Sequence, residues 1–254
     1  DFLRVYEFGR GRKNNPTSWP AHIAKVGHKY YPNESVTEQL LTRIGQLLGL
    51  KMAPSRLMWV RGQLRFLSEY FLCPSESLVH GAQIFAGYLN HDDKFVEQVE
   101  EMRMSNEIFT FQVVEAAVRN LFPDQADSIL LEFVRLLAFD AIVGNNDRHF
   151  FNWGVITHVA GRNPPRFSPI YDTARALLWN MSERTLEKHL HNRREFLEKY
   201  SRQSLPKTGW DSCKSLNHCE LVLKIFEERP IYREPLRLLH VENLADQVEA
   251  LIDQ

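Results

Sequence analysis

At 254 residues, 44% of them hydrophobic and 11% aromatic, the chain can bury a large core, which argues against disorder and for one bilobal domain or two small ones. With 31 Lys and Arg against 32 Asp and Glu, the formal net charge is −1, so no global field draws the chain to a nucleic acid or a membrane; either partner needs a local basic patch. Cys73, Cys213 and Cys219 are too few and too dispersed for a disulfide framework or a zinc site, and free thiols suit a reducing, cytoplasmic setting. The apolar run at 129–143 is broken by Glu132, Arg135 and Asp140, short of the roughly 20 apolar residues a bilayer span needs. No signal peptide is visible; the sequence starts at Asp1 without Met, so removal of an upstream segment is allowed for.

Residues 2–8 (FLRVYEF) alternate apolar and polar side chains and 21–26 (AHIAKV) are β-prone; with GRGRKNNPTSWP as a turn-rich connection, they predict a hairpin. Residues 33–49 keep Val36, Leu40, Leu41, Ile44, Leu47 and Leu48 at helical spacing and end on Gly49, which predicts a helix. Residues 57–60 and 64–70, separated by Arg61, Gly62 and Gln63, read as a second hairpin. From about Val79 onward the pattern is helical, with long apolar-periodic stretches at 108–118 and 126–143 that are almost free of Gly and Pro. A strand pair at 153–157 and 167–170, joined by AGRNPPR, interrupts them, and further helices are predicted over 183–200, 213–228 and 241–252. The expected fold is α+β and bilobal: a small β-rich lobe with one helix over 1–72, and a larger, mostly helical lobe over 73–254.

The segment FDAIVGNNDRHFFNWGVI, 139–156, sets Asp147, His149 and Asn152 on a loop anchored by a helix before it and a strand after it. Asp147 is placed to face an incoming hydroxyl while the Asn152 amide turns back toward a metal. SPIYD then delivers a second carboxylate, Asp172, and Asn152 with Asp172 offers hard oxygen ligands suited to Mg²⁺. Lys25 lies mid-strand, where a cation could reach phosphates, and Glu38 on the following helix could pair with it. Glu69, Tyr70 and Phe71 lead from the second hairpin into the helical half, where their backbone could hydrogen-bond an adenine ring. These are the parts of a phosphoryl-transfer site.

HIAKVG, TEQLLTRIGQLLGL, FLSEYF, FDAIVGNNDRHFFNWGVI and FSPIYD, in that order from about Phe2 to about Leu178, resemble the HipA-like protein kinases, bacterial Ser/Thr kinases with an atypical kinase fold. The resemblance implies a kinase-like bilobal fold and use of ATP and Mg²⁺. It makes Asp147 the catalytic Asp, Asn152 and Asp172 the Mg²⁺ ligands, and Lys25 the phosphate contact supported by Glu38. Glu69, Tyr70 and Phe71 become the adenine hinge, and His149 lies near the phosphates. It implies a protein substrate with a Ser or Thr acceptor and allows an antitoxin partner, or an effector role in a host cytosol. The family usually carries a glycine-and-glutamine loop over the phosphates. Nothing upstream of FLRVYEF matches it, so either it was trimmed or another element, such as the turn at 9–13, closes over ATP. The chain resembles the compact, core-only members.

Plainer readings stand beside these. Asp147, Asn152 and Asp172 could cap local backbone, Lys25 could be a solvated strand lysine, and His149 could only brace its loop. Arg148 is expected to pair with a neighbouring carboxylate or carbonyl, and Phe150, Phe151 and Trp153 to pin the loop by packing. His189, His191, Arg193 and Arg194 are interleaved with Glu187, Glu195 and Glu198, which fits a solvated helix face. No basic and aromatic pattern suggests direct nucleic-acid binding. Two rival functions remain: a phosphoinositide or lipid kinase, whose catalytic loop NNDRHFFN also resembles, and a pseudokinase or nucleotide-sensing partner module.

Overall fold

In the computed structural model, which describes residues 1–27, 33–213, 215–233 and 243–252, the β-prone stretches of the first third form one four-stranded antiparallel sheet. Its strands are β1 (Phe2–Arg4), β2 (Ala21–Val26), β3 (Ser55–Val60) and β4 (Gln63–Glu69), in the order β1-β2-β4-β3. Strand β1 is shorter than the predicted 2–8. Arg4 pairs with Ala21, and the next partner, Pro20, has no N–H to extend the ladder. The chain turns there instead, with Glu7 bridging back to Arg10. β3 and β4 are joined through Arg61 and Gly62, both left-handed at φ 51° and 77°, the geometry that matches strand twist in a two-residue hairpin.

Helix α1 (Asn33–Leu47) buries Ser35, Glu38, Leu41, Thr42 and Gly45, a stripe at i, i+3, i+4 spacing. Its buried face is thus partly polar, and the expected apolar Val36 is exposed. Beside the 1–72 segment, two later pieces group with this unit by their contacts. One is Pro169–Arg175, where Ile170 pairs with Met52 and its C=O accepts the Ala53 N–H at 2.9 Å. The other is the C-terminal helix, Leu244–Ile252, which packs on α1.

The second unit comprises 73–168 and 176–239 and is helical around a three-stranded antiparallel sheet, β5 (Glu76–His80), β6 (Gly154–His158) and β7 (Arg166–Phe167). The predicted 153–157/167–170 hairpin is therefore the inner and one outer strand of this sheet, and β5 is the third. Helices α2 (Gly81–Leu89), α3 (Asp93–Glu101), α4 (Ser105–Ile108), α5 (Phe111–Leu121) and α6 (Ala126–Val143) follow in chain order. α6 has the predicted bounds and is apolar almost all round; Ile129, Leu130, Phe133, Val134, Leu136 and Phe139 are buried, each such side chain stabilising by about 1.5–3 kcal/mol. The predicted 183–200 helix is two, α7 (Glu183–Leu190) and α8 (Arg193–Gln203), broken where Asn192 leaves helical geometry. Neither buries a residue, and His189 stacks on Phe196 with Arg194 paired to Glu198, the solvated-face arrangement. Helix α9 (His218–Glu228) packs on α6. Among the described residues no helix is long and apolar enough to cross a membrane.

Candidate active site

On β2 the side chains alternate, so Ala24 is buried on one face while Ile23 and Lys25 share the other. That face also carries the Glu38 carboxylate of α1. The Lys25 ammonium donates to Glu38 Oε1 at 2.9 Å and to Asp172 Oδ1 at 2.7 Å. Glu38 is only 4% exposed at its side chain, whereas Lys25 and Asp172 are 35% and 41% exposed. Burial opposes the charge on Lys25, but Glu38 and Asp172 outweigh it and hold its pKa above the ordinary lysine value. For Glu38 burial wins over the attraction of Lys25, and its pKa lies above the usual carboxylate range. The Thr173 backbone also hydrogen-bonds Glu38, which ties the 169–175 segment to α1. Asp172 itself sits in the left-handed region at φ 55°, a conformation that strains a side chain with a Cβ and that persists where surrounding contacts fix it.

The predicted hinge is partly committed to the sheet. The Glu69 N–H donates to Pro54 C=O at 2.7 Å and the Tyr70 N–H to Ala21 C=O at 2.8 Å, so Phe71 supplies the remaining N–H of the three. The Phe71 ring lies 5.7 Å from that of Tyr171. Glu69 is held by Arg10 through two hydrogen bonds of 2.9 and 2.6 Å, and this guanidinium pulls its carboxyl below the usual range. The turn at 9–13 is consequently anchored to the end of β4 by Arg10.

The second set of residues is built on the end of α6. Asp140 is fully buried and its two carboxylate oxygens accept from Arg148 Nε at 2.9 Å, Arg148 Nη2 at 3.0 Å and Asn145 Nδ2 at 2.9 Å. Arg148 Nη1 continues to the Asn152 C=O at 2.9 Å. Asn145 Oδ1 in turn accepts the Asp147 N–H at 3.1 Å, and the Asp147 C=O accepts Asn152 Nδ2 at 2.9 Å. The loop is thereby closed on itself, with the half-buried Asp147 carboxylate at its turn. Donation by Nδ2 fixes which way the Asn152 amide faces and leaves its Oδ1, a hard oxygen ligand, for a cation. His149 Nδ1 accepts the Phe151 N–H at 3.3 Å, so a neutral ring carries its proton on Nε2, which remains a donor.

Packing holds this loop from below. Phe150 and Trp153 are buried against Phe85, at 4.9 and 6.2 Å between centroids, and their carbonyls accept the first N–H groups of α2, Ala82 and Gly81, at 3.0 Å each. Phe151 stays half-buried beside His149. Gly144, at φ 68°, ends α6, and a Cβ there would meet the Tyr200 ring at 2.5 Å.

The model of the HipA-like C-terminal domain matches residues 9–228. The chain belongs to that family. Its fold is similar to that of a Helicobacter pylori proinflammatory kinase, CtkA, with 17% identity, a TM-score of 0.64, and coverage of 91% of this chain and 87% of that one. It is also similar to HipA of Shewanella oneidensis MR-1, solved as a toxin–antitoxin complex with HipB and operator DNA, at 14% identity and a TM-score of 0.58. That match covers 99% of this HipA-like chain and 56% of the Shewanella chain. No curated protein matches the sequence.

Within this HipA-like fold the predicted residues fall into two sets. Lys25, Glu38 and Asp172 meet, and Asp147, His149 and Asn152 share one loop; Glu69 is turned to Arg10. Among the described residues no three His, Cys, Asp or Glu side chains are grouped to hold a metal. Asn152 Oδ1 in the second unit and the Asp172 carboxylate in the first are each an oxygen group of the kind that binds Mg²⁺. Sequence reasoning missed Asp140 and Asn145, which hold the loop, and Ile23, 43% exposed on the face of Lys25. A lone carboxylate inside the apolar run FDAIV, shortly before an arginine, is the signal that points to the first.

Proposed function

We propose that this chain is a protein kinase that uses Mg²⁺ and ATP to phosphorylate a Ser or Thr hydroxyl. The observation that carries the reading is Lys25 held between Glu38 and Asp172, a cation oriented by one buried carboxylate and one accessible one. In this role Lys25 steadies the phosphates, and the apolar face of Ile23 and the Phe71 N–H suit an adenine ring. Asn152 Oδ1 and the Asp172 carboxylate would hold Mg²⁺, which supplies charge neutralisation on the phosphate oxygens. Asp147 orients the acceptor hydroxyl and takes its proton as the new bond to the γ-phosphorus forms and the bond to the β-phosphate oxygen breaks. The His149 Nε2–H is a suitable donor to a phosphate oxygen. An antitoxin-type partner belongs to the proposal as well, supported by the likeness to the HipA chain solved with HipB.

The test is incubation of the purified chain with labelled ATP, with and without Mg²⁺, and with protein and lipid acceptors in separate reactions. Mg²⁺-dependent label on Ser or Thr of a protein is the expected result. Label on lipid alone would replace the protein-kinase reading by a lipid-kinase one. Nucleotide binding with no transfer to any acceptor would favour a partner module.

A further inference from the structure

The second unit carries a hollow of about 400 Å³ that none of the residues above explains. Glu100, Arg103, Ser105, Asn146, Gln203 and Lys207 line it, and Asn146 is the residue immediately before Asp147. The hollow therefore borders the loop that presents the Asp147 carboxylate. Arg103 follows α3 in a left-handed conformation, φ 58°, with its N–H donating to the Glu100 C=O and the Met104 N–H to the Val99 C=O, at 3.0 Å each, a cap that ends the helix and turns the chain at the rim of the hollow. Neither Arg103 nor the half-buried Lys207 has a carboxylate partner among the described residues. Glu100, the one acid in the lining, accepts the Phe150 N–H at 3.4 Å. Asn146 Oδ1 accepts the Ser204 hydroxyl at 2.7 Å, which leaves its amide NH₂ as the donor end.

Two unpaired cations, an amide donor and a single acid already engaged with backbone make a surface that favours carboxylates. The lining has no aromatic ring, so it offers no platform for stacking a nucleic-acid base. We infer that this hollow is an acceptor subsite selecting proteins with acidic side chains flanking the phosphorylated hydroxyl, with Arg103 and Lys207 as its specificity-determining residues. The inference rests on the kinase reading for the role of the acceptor, but the recognition chemistry does not need turnover.

The experiment measures equilibrium binding of two short serine peptides without nucleotide, one with Glu on both sides of the serine and its twin with Gln. At low salt the wild-type chain should bind the Glu peptide about tenfold more tightly, the scale of two partly exposed charge pairs. R103A/K207A should bind both peptides alike, and R103E/K207E should prefer a Lys-flanked peptide. Equal binding of the twins by the wild-type chain, or an undiminished preference in R103A/K207A, would overturn the inference. A wild-type chain that keeps the acidic preference yet transfers no phosphoryl group contradicts the kinase reading and leaves the subsite standing. Transfer to neutral and acidic peptides with equal kcat/KM contradicts the subsite alone.

Discussion

Asp140 and Asp172 each accept hydrogen bonds from a cation, but burial gives the two networks different duties. Asp140 is fully buried and Arg148 is 3% exposed, so every oxygen and most donors of that pair are spent on the loop itself. Asp172 and Lys25 are 41% and 35% exposed and touch through a single contact, and with Lys25 also donating to Glu38 this leaves an Asp172 oxygen and one ammonium proton for other partners. The lesson is that charge alone does not mark a reactive carboxylate. The enclosed aspartate is scaffold, and the accessible one, held in a strained backbone, is available for chemistry.

The largest effect expected from this contrast is on folding. Asp140→Ala leaves the Arg148 guanidinium buried without a counter-charge and should cost about 3–5 kcal/mol of stability, read by denaturant unfolding. A loss under about 1 kcal/mol, the scale of an exposed pair, would break the distinction between the networks. Lys25→Met leaves the buried Glu38 without its cation, in a site where burial already favours the neutral carboxyl, and should cost about 1–3 kcal/mol, less than Asp140→Ala, while nucleotide affinity measured by calorimetry falls at least about tenfold. Unchanged affinity would reduce Lys25 to a strand lysine.

A smaller effect sharpens the account of the buried side. His218, at the start of α9, is 2% exposed; burial lowers its pKa below the ordinary 6.5, against weaker opposing effects of Asp140 and the Asn145 backbone. The folded state therefore takes up fewer protons than the unfolded one, and stability is lost as pH falls through about 6.5 toward the lower folded value. His22 is shifted the same way, so His218→Gln should remove only part of the loss. Melting temperatures at about pH 7.5 and 5.5 measure it. An equal drop in wild type and His218→Gln would show that His218 titrates freely.

Much of this was legible in the sequence because the signals are local. Strand β2 and helix α6 have their predicted bounds, one marked by β-prone residues between turn signals and the other by a long apolar period without Gly or Pro. The order of the five quoted blocks is what brought out the family. Helix α2 was hidden because it starts directly at the end of β5, with no turn residues between, and holds Gly81 and Gly87. The break at Asn192 lies inside a polar stretch whose solvated helices need no apolar stripe to fix their ends. At the site, residue types and spacing pointed to Lys25, Asp147, Asn152 and Asp172. The commitment of Glu69 to Arg10 depends on a contact spanning 59 residues, and the Asp140 scaffold depends on depth of burial; neither has a local pattern.

The claim that Asp147, presented by the Asp140-anchored loop, acts in phosphoryl transfer is tested most directly by Asp147→Ala, with transfer, nucleotide affinity and melting temperature measured on the same preparation. The account predicts that transfer falls by about 10²–10⁴-fold, while nucleotide affinity and melting temperature stay close to wild type. Transfer at the wild-type rate in the folded variant would contradict it.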